Sequence, residues 1–311
     1  MSQLSHIYFL ITPDVHMMDL AGPCQTFHEA KSRGLNLTLH FISPVENIKS
    51  HEGLTFSDLS DLPESINEHA LIIVCGSNYY DGIYTDSVSQ QCIAWLQSVL
   101  SSDIRVLGVC TGAFLLGHAG LLDQRTCTTH HQRTEELARV FPTANVLPNR
   151  IYVQDKHIYT SAGVAAGIDL ALALIQQSAG AQFAVEVARE LVVSQRRMAH
   201  DPQLSQQVSY RNHIQPLIHD VQDYLQSHLT HKLSVTELST RFRISTRHLQ
   251  REFKLATGLT VRDYLVELRL EVAKNYLDQG CTIESSAYQA GFPDAKALRT
   301  AWKRKLNSAL R

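Results

Sequence analysis

Cys110 stands in the segment with the clearest chemical signal. Residues 105–117, RVLGVCTGAFLLG, run from an apolar strand pattern into Gly-x-Cys-x-Gly and then into a helix pattern of Ala and Leu. A residue at such a strand-to-helix turn has a strained backbone, and glycines beside it let other backbone approach closely. The positive end of the following helix is expected to lower the pKa of the thiol. The pattern predicts a cysteine that reacts or contacts a ligand; a small buried residue at a crowded turn is the alternative.

A second set of informative side chains lies near the carboxyl terminus. Leu238 and Phe242 lie four positions apart, as do Leu249 and Phe253, which predicts two short helices joined by a tight turn. The expected N-caps are Ser234 for the first helix and Ser245 or Thr246 for the second. The second helix then directs polar side chains outward: Arg247, Gln250, Arg251 and Lys254. Arg and Gln read guanine and adenine edges through bidentate hydrogen bonds, whereas Lys neutralises phosphate, so this face is expected to bind double-stranded DNA.

The same pattern returns at residues 283–304. Its inward positions are Ile283, Ala287, Ala290, Leu298 and Trp302, and a turn at residues 291–294 separates the two helices. Its outward positions are Lys296, Arg299, Thr300, Lys303 and Arg304. Residues 261–277 between the two pairs form a helix pattern of about 25 Å, enough to set two reading helices about one DNA turn of ~34 Å apart. One polypeptide is thus expected to read two successive major grooves.

The elements that must position these residues follow from length and periodicity. The chain has 311 residues, about twice a typical domain of ~150. Strand-length apolar runs at residues 7–11, 37–42, 71–75 and 105–109 alternate with helix patterns, of which residues 87–100 and 165–179 are the clearest. Such alternation predicts a parallel sheet covered by helices on both faces, with ligands at the carboxyl ends of the strands. We expect an α/β domain at residues 1–195, a polar linker at 196–212 and an all-α domain at 213–311.

Charge and composition narrow the function. Residues 1–210 carry 12 Lys and Arg against 20 Asp and Glu, a net of −8, and residues 211–311 carry 16 against 10, a net of +6. The basic part is expected to meet a polyanion. The six cysteines form no Cys-x-x-Cys pair, and neither a secretory signal nor a membrane span is apparent, so we expect a cytoplasmic protein with no membrane partner. His130 and His131 lack further ligands at suitable spacing, so no metal and no cofactor is expected.

Residues 213–308 resemble the AraC/XylS family of transcription regulators. The resemblance rests on HLQREFK at 248–254, TGLTVRDYLVELRLEVAKNYL at 257–277 and AGF at 290–292. It implies two helix-turn-helices joined by a long helix, with Arg247, Gln250 and Arg251 reading bases and Lys296, Arg299 and Thr300 in the equivalent places. Arg243 replaces the small residue usual in the first turn, Ser286 replaces an aliphatic residue, and the ending KLNSALR lacks the usual Gly and Pro. These departures suggest that the second motif mainly contacts phosphate.

Residues 5–195 resemble the DJ-1/PfpI superfamily, a three-layer flavodoxin-like sandwich. The matching motifs are PDVHMMDLAGP at 13–23, GVCTGAFLLGHAGLLDQRTCTTHH at 108–131 and TSAGVAAGIDLALAL at 160–174. The resemblance implies that Asp19 accompanies Cys110 and that His130 is the His of the ATTH motif, with Cys127 in place of Ala. Joined to an AraC-type tail, the chain resembles the GlxA-type (class I glutamine amidotransferase-like) regulators, whose pocket holds an inducer.

The expected function is therefore a DNA-binding regulator, expected to be an activator that works with RNA polymerase as a homodimer. Its inducer is a small metabolite, with an amino acid or quaternary amine implied by the resemblance. Asp19, Cys110, Thr111 and His130 would line the pocket, and Gly76 and Ser77 would add N–H groups at its rim. The loop with Tyr79, Tyr80 and Tyr84 would offer aromatic faces to a cation.

Two alternatives stay open. Peptidase-like relatives carry His directly after the cysteine, where this chain has Thr111, so proteolysis is disfavoured. A Cys110 and Asp19 pair instead resembles the hydratase branch, which keeps a cysteine-dependent hydratase or hydrolase of a small nitrogen compound in view. The other alternative is a redox sensor acting through oxidation of Cys110.

Overall fold

Two compact units make up the chain, Met1–Gln203 and Leu204–Arg311. The computed structural model describes residues 4–78, 84–101, 104–163, 165–193, 197–199, 203, 210, 213–231, 233–278, 280–306 and 310. Arg197 and Gln203, which the sequence analysis assigned to the linker, contact the first unit, and Tyr210 contacts the second. Most of the predicted linker lies outside the described residues, so its bounds stay a prediction.

The first unit is built on a six-stranded sheet in the order β2-β1-β5-β6-β10-β9. Its strands are β1 (His6–Leu10), β2 (Thr38–Ile42), β5 (Leu71–Val74), β6 (Arg105–Val109), β9 (Tyr152–Asp155) and β10 (Ile158–Ser161). The sheet is parallel except that β9 pairs antiparallel with β10. The predicted parallel sheet is confirmed, and the four predicted strands lie within one residue of their expected ends. Two short two-stranded sheets add β3 (Ile48–Lys49) with β4 (Thr55–Phe56) and β7 (Thr126–Cys127) with β8 (Asn145–Val146).

Helices cover both faces of this sheet, as buried strands require. On one face, α1 (Met17–Ser32), α5 (Ala165–Ala179) and α6 (Ala181–Glu190) pack against alternate strand residues that include Phe9 and Ile73. On the other, α2 (Ser87–Val99) and α3 (Gly112–His118) pack against the intervening residues, which include Leu10 and Ile72. The period of two along each strand thus divides the core into two layers. A further helix, α4 (Thr134–Val140), follows β7.

Within the described residues, the regular elements of the second unit are all helices. It contains α7 (Pro216–Ser227), α8 (Val235–Arg241), α9 (Thr246–Thr257), α10 (Val261–Asp278), α11 (Ile283–Gln289) and α12 (Ala295–Leu306). One core joins α7, α8, α9 and the start of α10, and a second joins the end of α10 to α11 and α12. The two predicted helix pairs and the long helix between them are therefore present, and α10 spans about 27 Å at 1.5 Å per residue.

A tight contact fixes the two helix pairs relative to each other. Arg269 of α10 donates from Nε to the carbonyl of Leu229 and from Nη2 to that of His231, both at 2.8 Å. Gly291, in the turn between α11 and α12, lies directly against the same loop, because a Cβ at that position would stand 2.4 Å from Leu229 O and 2.8 Å from Thr230 Cα. The second turn therefore rests on the segment that precedes the first helix pair.

Candidate functional site

The candidate pocket lies where three neighbouring strands of the first sheet end. Strand β1 lies between β2 and β5. The chain passes from β1 to β2 on one side and later enters β5 on the other side, so the strand order reverses between β1 and β5. Ligands of open α/β sheets bind outside the carboxyl ends of the strands at such a reversal. Asp19 follows β1, Gly76 and Ser77 follow β5, and Cys110 and Thr111 follow β6. The topology thus brings five of the six predicted pocket residues to one edge.

Cys110 occupies the strained turn that the sequence predicted. Its φ is +54°, in the left-handed region that residues with a side chain rarely adopt. Its N–H donates to Ser161 O at 3.1 Å, and its carbonyl accepts from Thr129 Oγ1 at 2.7 Å. Only 6% of the residue is exposed. Hydrogen bonds on both sides of the residue hold the strained conformation in place.

Asp19, Cys110 and Thr111 meet around Gly76. A Cβ on Gly76 would stand 2.3 Å from Asp19 Oδ2, 2.9 Å from Cys110 Cβ and 3.0 Å from Thr111 Oγ1. Asp19 itself is fully buried. Glycine is required at this position because any side chain would occupy the space between the carboxyl group and the thiol-bearing turn.

Thr111 and Ser77 bind each other, which corrects one expectation. Thr111 Oγ1 donates to Ser77 O at 2.6 Å and accepts from Ser77 N at 2.9 Å. The Ser77 N–H therefore ties the β5 loop to the β6 loop instead of facing a ligand. Tyr84 is also buried, and its hydroxyl lies 3.0 Å from Ser77 Oγ, so it braces this loop and offers no open aromatic face. Tyr79 and Tyr80 lie outside the described residues.

His130 lies beside the cysteine, separated from it by Gly163. A Cβ on Gly163 would stand 2.6 Å from His130 Cδ2 and 3.4 Å from Cys110 Sγ. His130 is half-buried, and its loop is tied to the turn because Thr129, the preceding residue, bonds the Cys110 carbonyl. The structure thus brings all six predicted pocket residues together.

The electrostatics of this space favour a protonated thiol. Burial, and after it the negative charge of Asp19, raises the pKa of Cys110 far above its ordinary value. The expectation that the helix end would lower this pKa is wrong, because burial and the carboxyl group outweigh a helix of one to two turns. Burial also lowers the pKa of His130, and His131 and Arg133 add to the effect, so the imidazole is neutral at pH 7. The groups present are a thiol, a neutral imidazole and a buried carboxyl, which suit hydrogen bonding and charge pairing with a ligand.

The first predicted DNA-reading surface is exposed as one face of α9. Arg247, Gln250, Arg251 and Lys254 are all exposed, whereas Leu249 and Phe253 on the opposite face are fully buried. Ser245, and not Thr246, caps the helix by accepting from His248 N at 3.2 Å. Arg251 is paired with Glu252 through a 2.7 Å contact on the surface. Exposed pairs of this kind contribute only about 0–1 kcal/mol, so Glu252 holds the Arg251 side chain only weakly.

The second predicted surface repeats this geometry on α12. Lys296, Arg299, Thr300 and Lys303 are exposed, with Leu298 buried behind them. Thr300 Oγ1 donates to Lys296 O at 2.8 Å, and Arg299 lies 3.7 Å from Glu284. The hydroxyl of Thr300 thus bonds its own helix. This face carries more engaged polar groups than the face of α9.

The first helix-turn-helix also shows the cost of Arg243. This residue has φ +55°, and its N–H donates to Thr240 O at 3.2 Å. In the second turn Gly291 takes the same left-handed conformation, with φ +80°. Glycine adopts it without the steric cost that Cβ brings. Arg243 is therefore a strained substitute for a small residue.

The fold and the two sites define an α/β domain with an elbow cysteine, joined to a double helix-turn-helix unit. The family model for DJ-1/PfpI matches residues 5–177, more than half of the chain, and a helix-turn-helix domain model matches residues 238–311. The chain belongs to the DJ-1/PfpI family and carries an AraC-type helix-turn-helix unit. A THiJ/PfpI family protein from Pseudomonas syringae has the same fold as the first unit, with a TM-score of 0.52, 21% identity and coverage of 66% of this chain and 79% of that one.

Three curated relatives are informative. The HTH-type transcriptional regulator GlxA of Rhizobium meliloti is 29% identical over 308 residues, which are 97% of this chain and 93% of that protein. The HTH-type transcriptional regulator CdhR of Pseudomonas aeruginosa is 29% identical over 212 residues, 65% of this chain and 63% of that protein. The isonitrile hydratase of Pseudomonas putida is 29% identical over 187 residues, 60% of this chain and 77% of that protein. The match thus spans less than two thirds of CdhR.

Two contacts of the polar stretch at residues 196–212 could not be predicted from the sequence. Gln203 Nε2 donates to Thr129 O at 2.8 Å, and Tyr210 donates to Glu267 Oε2 at 2.9 Å. Both residues lie in a polar stretch without periodicity, so no local signal marks them. In the part of the chain that the structure describes, no group of His, Cys, Asp or Glu is arranged to hold a metal, and no helix is long and apolar enough to span a membrane.

Proposed function

We propose that the protein is a sequence-specific DNA-binding transcription regulator controlled by a small metabolite. One observation carries the proposal: two helix-turn-helix pairs in one unit expose the same spacing of polar residues. Arg247, Gln250, Arg251 and Lys254 on α9 correspond to Lys296, Arg299, Thr300 and Lys303 on α12. A basic helix face that serves only solubility needs no such repeat, whereas binding in two adjacent major grooves requires two equivalent faces. The similarity to GlxA over almost the whole chain supports this function.

The pocket at Cys110 is the proposed sensor of the metabolite. The fully buried Asp19 favours a ligand with a cationic nitrogen, and the neutral His130 accepts or donates one hydrogen bond at the edge of the space. An amino acid or quaternary amine has this chemistry. We further propose that the protein works in the cytoplasm as a homodimer and activates transcription through RNA polymerase.

Selection from a randomised duplex library with the full chain tests the DNA-binding function. The expected product is a bipartite site whose halves lie about 10 base pairs apart, because the two reading helices enter neighbouring grooves. Binding is then measured by fluorescence anisotropy against random competitor at moderate ionic strength, since phosphate contacts alone lose affinity with salt. A chain that prefers no selected site over the competitor contradicts the proposal.

A cysteine-dependent hydratase is the second candidate function. It is favoured by the contact of Asp19 and Cys110 around Gly76 and by the similarity to isonitrile hydratase over 60% of this chain. The raised pKa of Cys110 weighs against a thiolate nucleophile. Turnover of an aliphatic isonitrile separates the two functions: hydration that is lost in Cys110→Ala supports the enzyme, whereas no turnover by protein that binds its selected DNA site supports the regulator.

A further inference from the structure

The connecting segment ends on a buried carboxylate that also holds the second reading helix. Glu267 of α10 is only 8% exposed. Its Oε2 accepts from the Tyr210 hydroxyl at 2.9 Å, and its Oε1 accepts from Lys305 Nζ at 2.8 Å. Tyr210 belongs to the segment that joins the two units, and Lys305 belongs to α12. The two oxygens of one carboxylate are thus divided between the connecting segment and the reading helix.

Tyr210 is seated firmly in the second unit. Its carbonyl accepts from Gln222 Nε2 at 2.9 Å, and Gln222 is fully buried. Its ring packs edge-on against Tyr264 with 5.7 Å between centroids. Burial and the bond to Glu267 raise the pKa of Tyr210 to about 12, so the hydroxyl keeps its proton and remains a donor. Any displacement of Tyr210 therefore acts on Glu267 directly.

The bond between Glu267 and Lys305 is the most enclosed ion pair of α12. The Lys305 and Glu267 side chains are 24% and 10% exposed, against 59% and 37% for Arg304 and Asp263. Enclosed charges are screened less by water and salt than exposed ones. A buried carboxylate that loses one partner must be re-solvated or must move. A change at Tyr210 is therefore expected to alter the position of Lys305.

The other end of the segment rests on the wall of the Cys110 pocket. Gln203 is 8% exposed, and its Nε2 donates to the carbonyl of Thr129, whose hydroxyl bonds the Cys110 carbonyl. The backbone N–H of Gln203 donates to Asn149 Oδ1 at 2.9 Å. Gln203 is thereby fixed, within the first unit, to the loop that bonds the Cys110 turn.

We propose that Tyr210 is a positioning residue that sets the second reading helix, α12, through Glu267 and Lys305. This inference rests on the proposed function. It predicts that the two half-sites respond differently to a change at Tyr210, because α9 has no contact with Glu267 among the described hydrogen bonds and ion pairs. The ring of Tyr210 packs on Tyr264, which packs on Phe253 of α9, so loss of the hydroxyl alone, with the ring kept, is expected to affect the α12 half-site and to leave that of α9 unchanged.

The test is selection from a randomised duplex library with the full chain and its Tyr210→Phe and Lys305→Met variants. Both variants are expected to keep the base preference of the α9 half-site and to lower that of the α12 half-site about tenfold, the effect of one charge-assisted hydrogen bond. Tyr224→Phe, which removes a hydroxyl elsewhere in the same unit, is the control and is expected to select the wild-type site. Thermal melting confirms that each variant is folded.

Two results would overturn the inference. One is a folded Tyr210→Phe variant that keeps the wild-type preference at both half-sites, and the other is an equal loss at both half-sites, which marks a merely structural contact. A wild-type chain that selects no sequence would overturn the proposed function as well, so the two failures are distinguishable.

Discussion

Gly291→Ala tests the joint between the two helix-turn-helix modules. The substitution places a Cβ where φ is +80° and where Leu229 O would stand 2.4 Å away. The left-handed conformation alone costs alanine about 1 kcal/mol. To relieve the contact, Leu229 O must shift, which is expected to disturb its hydrogen bond from Arg269 Nε, and a hydrogen bond from a charged donor contributes about 1.5–3 kcal/mol. We therefore expect a loss of about 2.5–4 kcal/mol in the free energy of unfolding of the second unit.

Gly258→Ala is the matched control for this prediction. Gly258 caps α9 with φ +75°, and a Cβ there would meet nothing within 4 Å. This variant shares the conformational cost and the effect of alanine on the unfolded chain, so about 1 kcal/mol is expected. The difference between the two variants isolates the contact with Leu229.

Tryptophan fluorescence allows the second unit to be followed alone. The chain has two Trp residues, of which Trp302 packs in the second unit and Trp95 in the first. Urea unfolding in a Trp95→Phe background then reports on the second unit, and the free energies follow from linear extrapolation. Equal losses for Gly291→Ala and Gly258→Ala would refute the argument, because the joint would then carry no steric constraint.

Three further predictions concern the two sites. Arg251→Ala is expected to cost about 1–3 kcal/mol of binding to the selected site and to relax one base position, measured by anisotropy on single-base variants of that site; an unchanged base preference argues against direct reading. Lys303→Ala is expected to weaken binding to every sequence and to reduce the slope of log affinity against log salt by about one, and an unchanged slope excludes a phosphate contact. Because the pKa of Cys110 is raised, its alkylation by iodoacetamide is expected to be slow at pH 7, to accelerate only in strong alkali and to be faster in Asp19→Asn, as followed by mass spectrometry of the Cys110 peptide. Fast modification at neutral pH would contradict the protonated thiol.

Features with a local signal were predictable from the sequence. The helix at residues 165–179 has the bounds that its apolar spacing predicts, and the strands differ by one residue at most. The caps at Ser234 and Ser245 follow from residue type and position, and Ser234 forms a full capping box with Glu237. The left-handed φ of Cys110 follows from the flanking glycines and the strand-to-helix order. Each of these depends on neighbours within a few positions.

Features that depend on distant partners were not predictable. Gln203 and Thr129 lie 74 positions apart, and Tyr210 and Glu267 lie 57 apart. The predicted direction of the Cys110 pKa shift was wrong. The shift depends on burial by the assembled sheet and on Asp19, which lies far from Cys110 in the sequence. A helix end can be recognised in a sequence, but the desolvation that outweighs it arises only in the folded unit.

The two helix-turn-helix modules differ in how much of their stability comes from contacts within the module. A shift of 48 positions aligns α8 with α11, so that Leu238 corresponds to Ser286 and Arg243 to Gly291, whereas a shift of 49 aligns α9 with α12, so that Leu249 corresponds to Leu298. The second turn thus contains one extra residue, and its core replaces a leucine by a serine. Ser286 is fully buried, and its hydroxyl has no hydrogen-bond partner in the described part of the chain, which costs about 1–3 kcal/mol.

The second module has a core of its own, which includes Phe292 and Leu298, and it is also held by the Arg269 and Gly291 contacts with the loop at Leu229 and by the pair of Glu267 with Lys305. The first module has a complete core of leucine and phenylalanine behind its reading face. A perturbation at Tyr210 or Arg269 is therefore expected to displace α12 more than α9.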